Sequence, residues 1–123
     1  MKELNFTYTP DKWLDKIYVK VQDGSEVKTN LLRDYTYYND GKVEYIIDYP
    51  DFLNGGTKYI LKKYEYDVFD RVEHIKYAKE SDPDTIFEAY DYTYDKDSNI
   101  LIEKLYKNYS SSIEKLDTKI PIS

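Results

Sequence analysis

The chain has 123 residues, with 18 Lys plus Arg against 24 Asp plus Glu, a formal net charge of −6, and no cysteine. That length fits one domain, and the missing cysteines exclude disulfides, thiolate metal sites, iron–sulfur clusters and cysteine nucleophiles. A single histidine, His74, excludes a multi-histidine metal centre, and neither of the glycine-rich phosphate loops is present.

Alternation of apolar and polar residues predicts eight antiparallel strands, over 3–9, 14–22, 26–38, 42–49, 57–67, 71–79, 85–95 and 99–107. The N-terminal Met1-Lys2-Glu3-Leu4-Asn5 lacks the apolar core of a signal peptide, so the expected location is the cytoplasm, or outside the cell if the chain belongs to a larger exported protein. Residues 10–22 have two readings. Thr9-Pro10-Asp11 followed by Trp13, Leu14, Ile17 and Val21 fits a capped amphipathic helix, whereas the alternation of Ile17, Val19 and Val21 ahead of Asp23-Gly24 fits a strand and a tight turn, and is favoured. Turn residues separate the later strands at Asn39-Asp40-Gly41, Asp67 to Asp70 and Asp95 to Asn99. Connecting segments lie at Asp23 to Ser25, Pro50 to Gly56 and Glu80 to Asp84. Residues 1–109 are read as one hairpin-repeat domain and 110–123 as a tail or short helix.

The elements repeat. Aromatic pairs fall at Phe6/Tyr8, Tyr35/Tyr37, Tyr64/Tyr66 and Tyr92/Tyr94, 29, 29 and 28 residues apart, each followed by an aliphatic at Leu14, Val43, Val72 or Ile100. A fixed period of this kind marks a repeat architecture. Alternate aromatics place their rings on one face of a strand, so each unit reads as a β-hairpin. The expected fold is all-β, an antiparallel meander of four hairpin repeats, either rolled into a barrel-like form or left as a curved open sheet.

Tyr64-Glu65-Tyr66-Asp67-Val68-Phe69-Asp70-Arg71-Val72 resembles the YD repeat of Rhs-type proteins, of pattern YxYDxxGRL. Tyr92 to Ile100 resembles its YxYDxxGNL variant, and Tyr35-Thr36-Tyr37 with Gly41-Lys42-Val43 supplies the two halves of a third copy. The resemblance covers about residues 30–107. It implies a structural, non-catalytic β-repeat module, built in that family into long sheets that enclose cargo.

Candidate sites divide into acids and tyrosines. Residues 34–97 hold 16 acidic and 8 basic residues, a net −8. Such a middle disfavours nucleic-acid phosphates and suits a basic protein partner. Turns one repeat apart emerge at one end of a meander, so Asp40, Asp67, Asp70, Asp95 and Asp97 are expected to form a negative rim. Tyr38, Tyr45, Tyr90 and Tyr109 fall outside the repeat rule and are the tyrosines expected to make contacts with a partner. The repeating tyrosines are expected to pack across strands. Asp95-x-Asp97-x-Asn99 begins like a calcium loop, but Ile100 and Tyr106 stand where glycine and glutamate are required. No enzyme activity, cofactor, metal or membrane contact is expected. Three functions follow: a structural or protein-binding repeat module, a small acidic inhibitor of a basic protein (an immunity or phage anti-defence protein), or a barrel binding a small ligand or sugar. Open sheet edges also invite a homodimer.

Overall fold

The computed structural model describes residues 2–107. It is all-β: β1 (Lys2–Tyr8), β2 (Leu14–Asp23), β3 (Glu26–Tyr37), β4 (Val43–Asp48), β5 (Ile60–Tyr66), β6 (Val72–Lys79), β7 (Asp82–Tyr94) and β8 (Ile100–Lys107), with one 3-10 turn at Phe52–Asn54. The sheet order is the chain order, β1 to β8, in an antiparallel meander. The order has two ends, and among the described residues no pairing joins β8 to β1, so the barrel alternative is not realised. The proposed tail at 110–123 lies outside the described residues. Residues 10–22 form no helix. A turn at Pro10–Lys12 leads into β2, where Ile17 and Val19 point inward as their alternation requires.

Two strand boundaries differ from the sequence reading by more than one residue. β5 begins at Ile60, three residues late, because Tyr49 to Tyr59 is taken up by the connection and its 3-10 turn. β7 begins at Asp82, three residues early, and includes Pro83. Its pairing with β6 jumps from Ala78↔Ile86 to Lys79↔Asp82, so Pro83 lies in an irregular stretch where no ladder N–H is needed.

The chain divides into two compact units, Met1–Ile60 and Leu61–Ser123. In the first, Val19 and Ile17 are the buried apolar residues. The connection after β4 is tied to β3 at two points. Asn30 Nδ2 donates to the Phe52 carbonyl at 2.8 Å, and the Tyr49 N–H donates to the Leu32 carbonyl at 3.0 Å. In the second unit Ala78, Ile86 and Ala89 form the core, with Leu61 and Tyr106 packed against it. Lys76 is buried beside them, its ammonium 2.5 Å from Glu65 Oε1. Burying such a pair costs solvation that only close geometry offsets.

Candidate functional site: turn ends and repeat joints

The four hairpins share one turn. In each, a first residue donates its N–H to the carbonyl four residues on and accepts at its own carbonyl from the N–H three residues on. These residues are Thr9, Tyr38, Asp67 and Asp95, and the closing carbonyls belong to Trp13, Lys42, Arg71 and Asn99. The last loop residue has positive φ in every case: Lys12 at 69°, Gly41 at 92°, Asp70 at 64° and Ser98 at 65°. This is the three-residue loop in which a type I turn is followed by a left-handed residue. Pro10 occupies the first loop position, where its fixed φ is an advantage. The first repeat, nearly unreadable in sequence, therefore folds as the others do.

The first turn residue explains the aspartate that follows the tyrosine pairs of the third and fourth repeats. Asp67 Oδ1 accepts from the N–H groups of Phe69 and Arg71, at 2.8 and 3.1 Å, and its Oδ2 accepts from Arg71 Nε at 2.8 Å. Asp95 Oδ1 accepts from Asp97 and Asn99, at 2.9 and 3.0 Å. Thr9 Oγ1 does part of this work, accepting from the Trp13 N–H at 3.1 Å. Where Tyr38 replaces the aspartate, Asp40 accepts from the Lys42 N–H instead, and its carboxylate also pairs with the Lys42 ammonium. Some desolvation opposes the charge of Asp67, but hydrogen bonds from the Arg71 backbone and side chain outweigh it and hold its carboxyl below the usual range. Backbone hydrogen bonding from Asn99 does the same for Asp95, and the Lys42 side chain does so for Asp40.

Within Leu61–Ser123, the turns carrying Asp67, Asp70, Asp95 and Asp97 lie side by side, since Arg71 Nη1 donates to Ser98 Oγ at 3.2 Å. Asp40 belongs to the other unit, in a turn beside Trp13. Asp67 and Asp95 spend their carboxylates on the turns themselves, so neither can be reversed in charge without loosening its hairpin. Among the proposed contact tyrosines, Tyr38 closes a turn through its backbone, and Tyr45 lies half-buried opposite Thr36. Tyr90 donates its hydroxyl to Glu88 Oε2 at 3.2 Å. Tyr109 lies outside the described residues.

The repeat joints hold the residues that sequence reasoning missed. β2 meets β3 with Lys16 opposite Asp34, and β6 meets β7 with His74 opposite Asp91. These are equivalent positions in the repeat. Lys16 Nζ is 3.7 Å from Asp34 Oδ1, and His74 Nδ1 is 2.6 Å from Asp91 Oδ1. The only histidine therefore fills a cross-strand ion-pair position, and its partner comes from the adjoining strand. Three residues beyond each pair, a tyrosine hydroxyl donates to the carbonyl of the repeat aliphatic: Tyr37 to Leu14 at 2.6 Å, and Tyr94 to Val72 at 2.5 Å. Each of these rings is covered by the residue that closes the previous turn. The Trp13 ring centroid is 5.2 Å from that of Tyr37, and the Arg71 guanidinium is 4.3 Å from that of Tyr94.

In the second unit Tyr77 packs against two other rings. Tyr77 lies 5.9 Å from Tyr90 at 68° and 6.3 Å from Phe87 at 50°. Lys62 Nζ sits 4.9 Å from the Tyr64 ring centre and 5.7 Å from that of Tyr77. Burial, with a hydrogen bond to Glu103, pushes the Tyr92 hydroxyl up to about 12. Among the described residues no three His, Cys, Asp or Glu side chains gather so as to hold a metal ion, and no helix is long and apolar enough to cross a membrane. The chain matches no protein-family model and no curated protein.

Proposed function

We propose that the chain is a non-enzymatic β-hairpin repeat module of YD-repeat type, whose work is structural or protein-binding. The observation that supports this most is the equivalence of the two joints. The tyrosine, aspartate and aliphatic positions of the motif are occupied with turn and joint contacts rather than held open for a substrate. If the repeat is the unit of construction, one period can be removed. Deleting residues 9–37 joins Tyr8 directly to Tyr38 and brings β1 into the place of β3. The shortened chain keeps a β-sheet circular dichroism spectrum and a cooperative melt; an unfolded product would overturn the reading.

A second reading, an acidic inhibitor of a basic protein, draws on the adjoining turns of Asp67, Asp70, Asp95 and Asp97. Asp97 is the acid to test, because its exposed side chain lies in the loop and the turn is held by Asp95. With a basic partner in hand, Asp97→Lys slows association and added salt slows it further, since such steering is screened over ~8–10 Å. An on-rate indifferent to both would end this reading.

A further inference from the structure

We infer that a second copy of the chain adds to the first head to tail, β1 of one copy pairing with β8 of the other, in the register of the β6/β7 joint. This rests on the repeat-module reading and goes beyond it in naming the partner and the joint. At the β2/β3 and β6/β7 joints, a tyrosine three residues past the Lys16↔Asp34 or His74↔Asp91 pair gives its hydroxyl to the carbonyl of Leu14 or Val72. The two ends of the sheet order carry the tyrosine and the aliphatic of one more such joint, with Ile102 and Asn5 at the place of the charged pair. Tyr8 occupies the repeat position of Tyr37 and Tyr94, and Ile100 that of Leu14 and Val72; among the described residues no strand pairs with the outer edge of β1 or of β8.

Both end strands expose apolar side chains. Leu4, Phe6 and Tyr8 on β1 are 49–62 % exposed, and Ile100, Leu101, Ile102 and Leu105 on β8 are 46–65 % exposed. Neither strand contains proline, and such an edge is a template for another strand. Carried over from the β6/β7 joint, the register sets Ile102 opposite Asn5, Glu103 opposite Leu4 and Lys104 opposite Glu3. One step the other way it sets Leu101 opposite Phe6, and the Tyr8 hydroxyl reaches the Ile100 carbonyl. Lys104 thus meets an opposite charge and Leu101 meets an apolar ring, while Ile102 and Glu103 face Asn5 and Leu4. The interface is heterologous, so each added copy presents a fresh β8 edge and growth does not stop at two.

Sedimentation velocity of the full chain over a range of concentrations tests this. The expected result is a mass that rises past the dimer, with Tyr8→Phe weakening each step roughly fivefold for one lost hydrogen bond. Phe6→Lys and Leu101→Lys chains each stay monomeric alone and give a one-to-one dimer, and nothing larger, when mixed. Circular dichroism checks that both remain folded, and the nearly isosteric Tyr8→Phe carries the test if either does not. A wild-type chain that stays monomeric overturns the inference, as does a dimer that survives Phe6→Lys but not Leu101→Lys, which marks symmetric β8–β8 pairing. Either result leaves the module reading to the period deletion, which asks nothing of a second copy.

Discussion

Lys12, Asp70 and Ser98 adopt a left-handed backbone that a Cβ disfavours, in the place that Gly41 fills without strain. Lys12→Gly should therefore raise stability by ~1 kcal/mol in denaturant unfolding, although it deletes a whole side chain. Gly41→Ala should lower it by more, because φ is 92° there and a Cβ would come within 2.9 Å of the Trp13 ring. His74 offers a second single-residue test. Since Lys16 fills the same place at the other joint, His74→Lys should melt close to the wild type. His74→Ala should lose ~0.5 kcal/mol, the usual scale of a cross-strand pair. The alternation over 71–79 put His74 in a strand. It did not show Asp91, because a cross-strand partner 17 residues on depends on the register of two strands.

At the scale of the hairpin, the conserved work of each unit is done by its turn and by the tyrosine before it. Tyr37→Phe and Tyr94→Phe each remove one hydroxyl donor to a strand carbonyl and should cost ~1 kcal/mol by chemical denaturation. Asp67→Ala should lower the thermal midpoint, while Asp97→Lys should leave it unchanged, which separates acids that build a turn from acids that only decorate it. Much of this level was legible beforehand. All eight strands fall within three residues of their expected limits, because the tyrosine alternation and the Asp, Asn and Gly clusters are local signals. The hairpin at Thr9–Trp13 was expected but had a rival helical reading, because threonine replaces the aspartate and Lys12 takes the left-handed position without the glycine that announces it. The buried Lys76–Glu65 pair was hidden: nothing in a strand's own sequence says that a lysine will be covered.

For the molecule as a whole, stability should be bounded by titration at both ends of the pH scale. Asp40, Asp67 and Asp95 have carboxyls held below the usual range, so their contribution is complete above about pH 4 and fades as pH falls through their lowered values. Asp34 works the other way, since burial raises it against the pull of Lys16. On the alkaline side Tyr92 is raised from 10.0 to about 12, so its neutral form is favoured by folding. That stability is intact below pH 10 and is lost as pH climbs toward 12. A spectrophotometric tyrosine titration should show a late component that merges with the rest in denaturant.

The claim on which everything else depends is that four turns of different sequence have one geometry. Solution NMR of the turn residues tests it most directly. The account predicts strong intraresidue HN–Hα contacts, the mark of positive φ, at Lys12, Gly41, Asp70 and Ser98, with slowed exchange of the Thr9, Tyr38, Asp67 and Asp95 amides. Sequential helical contacts over residues 10–22, or an ordinary negative φ at Lys12, would show that the first repeat is not a repeat and would contradict the account.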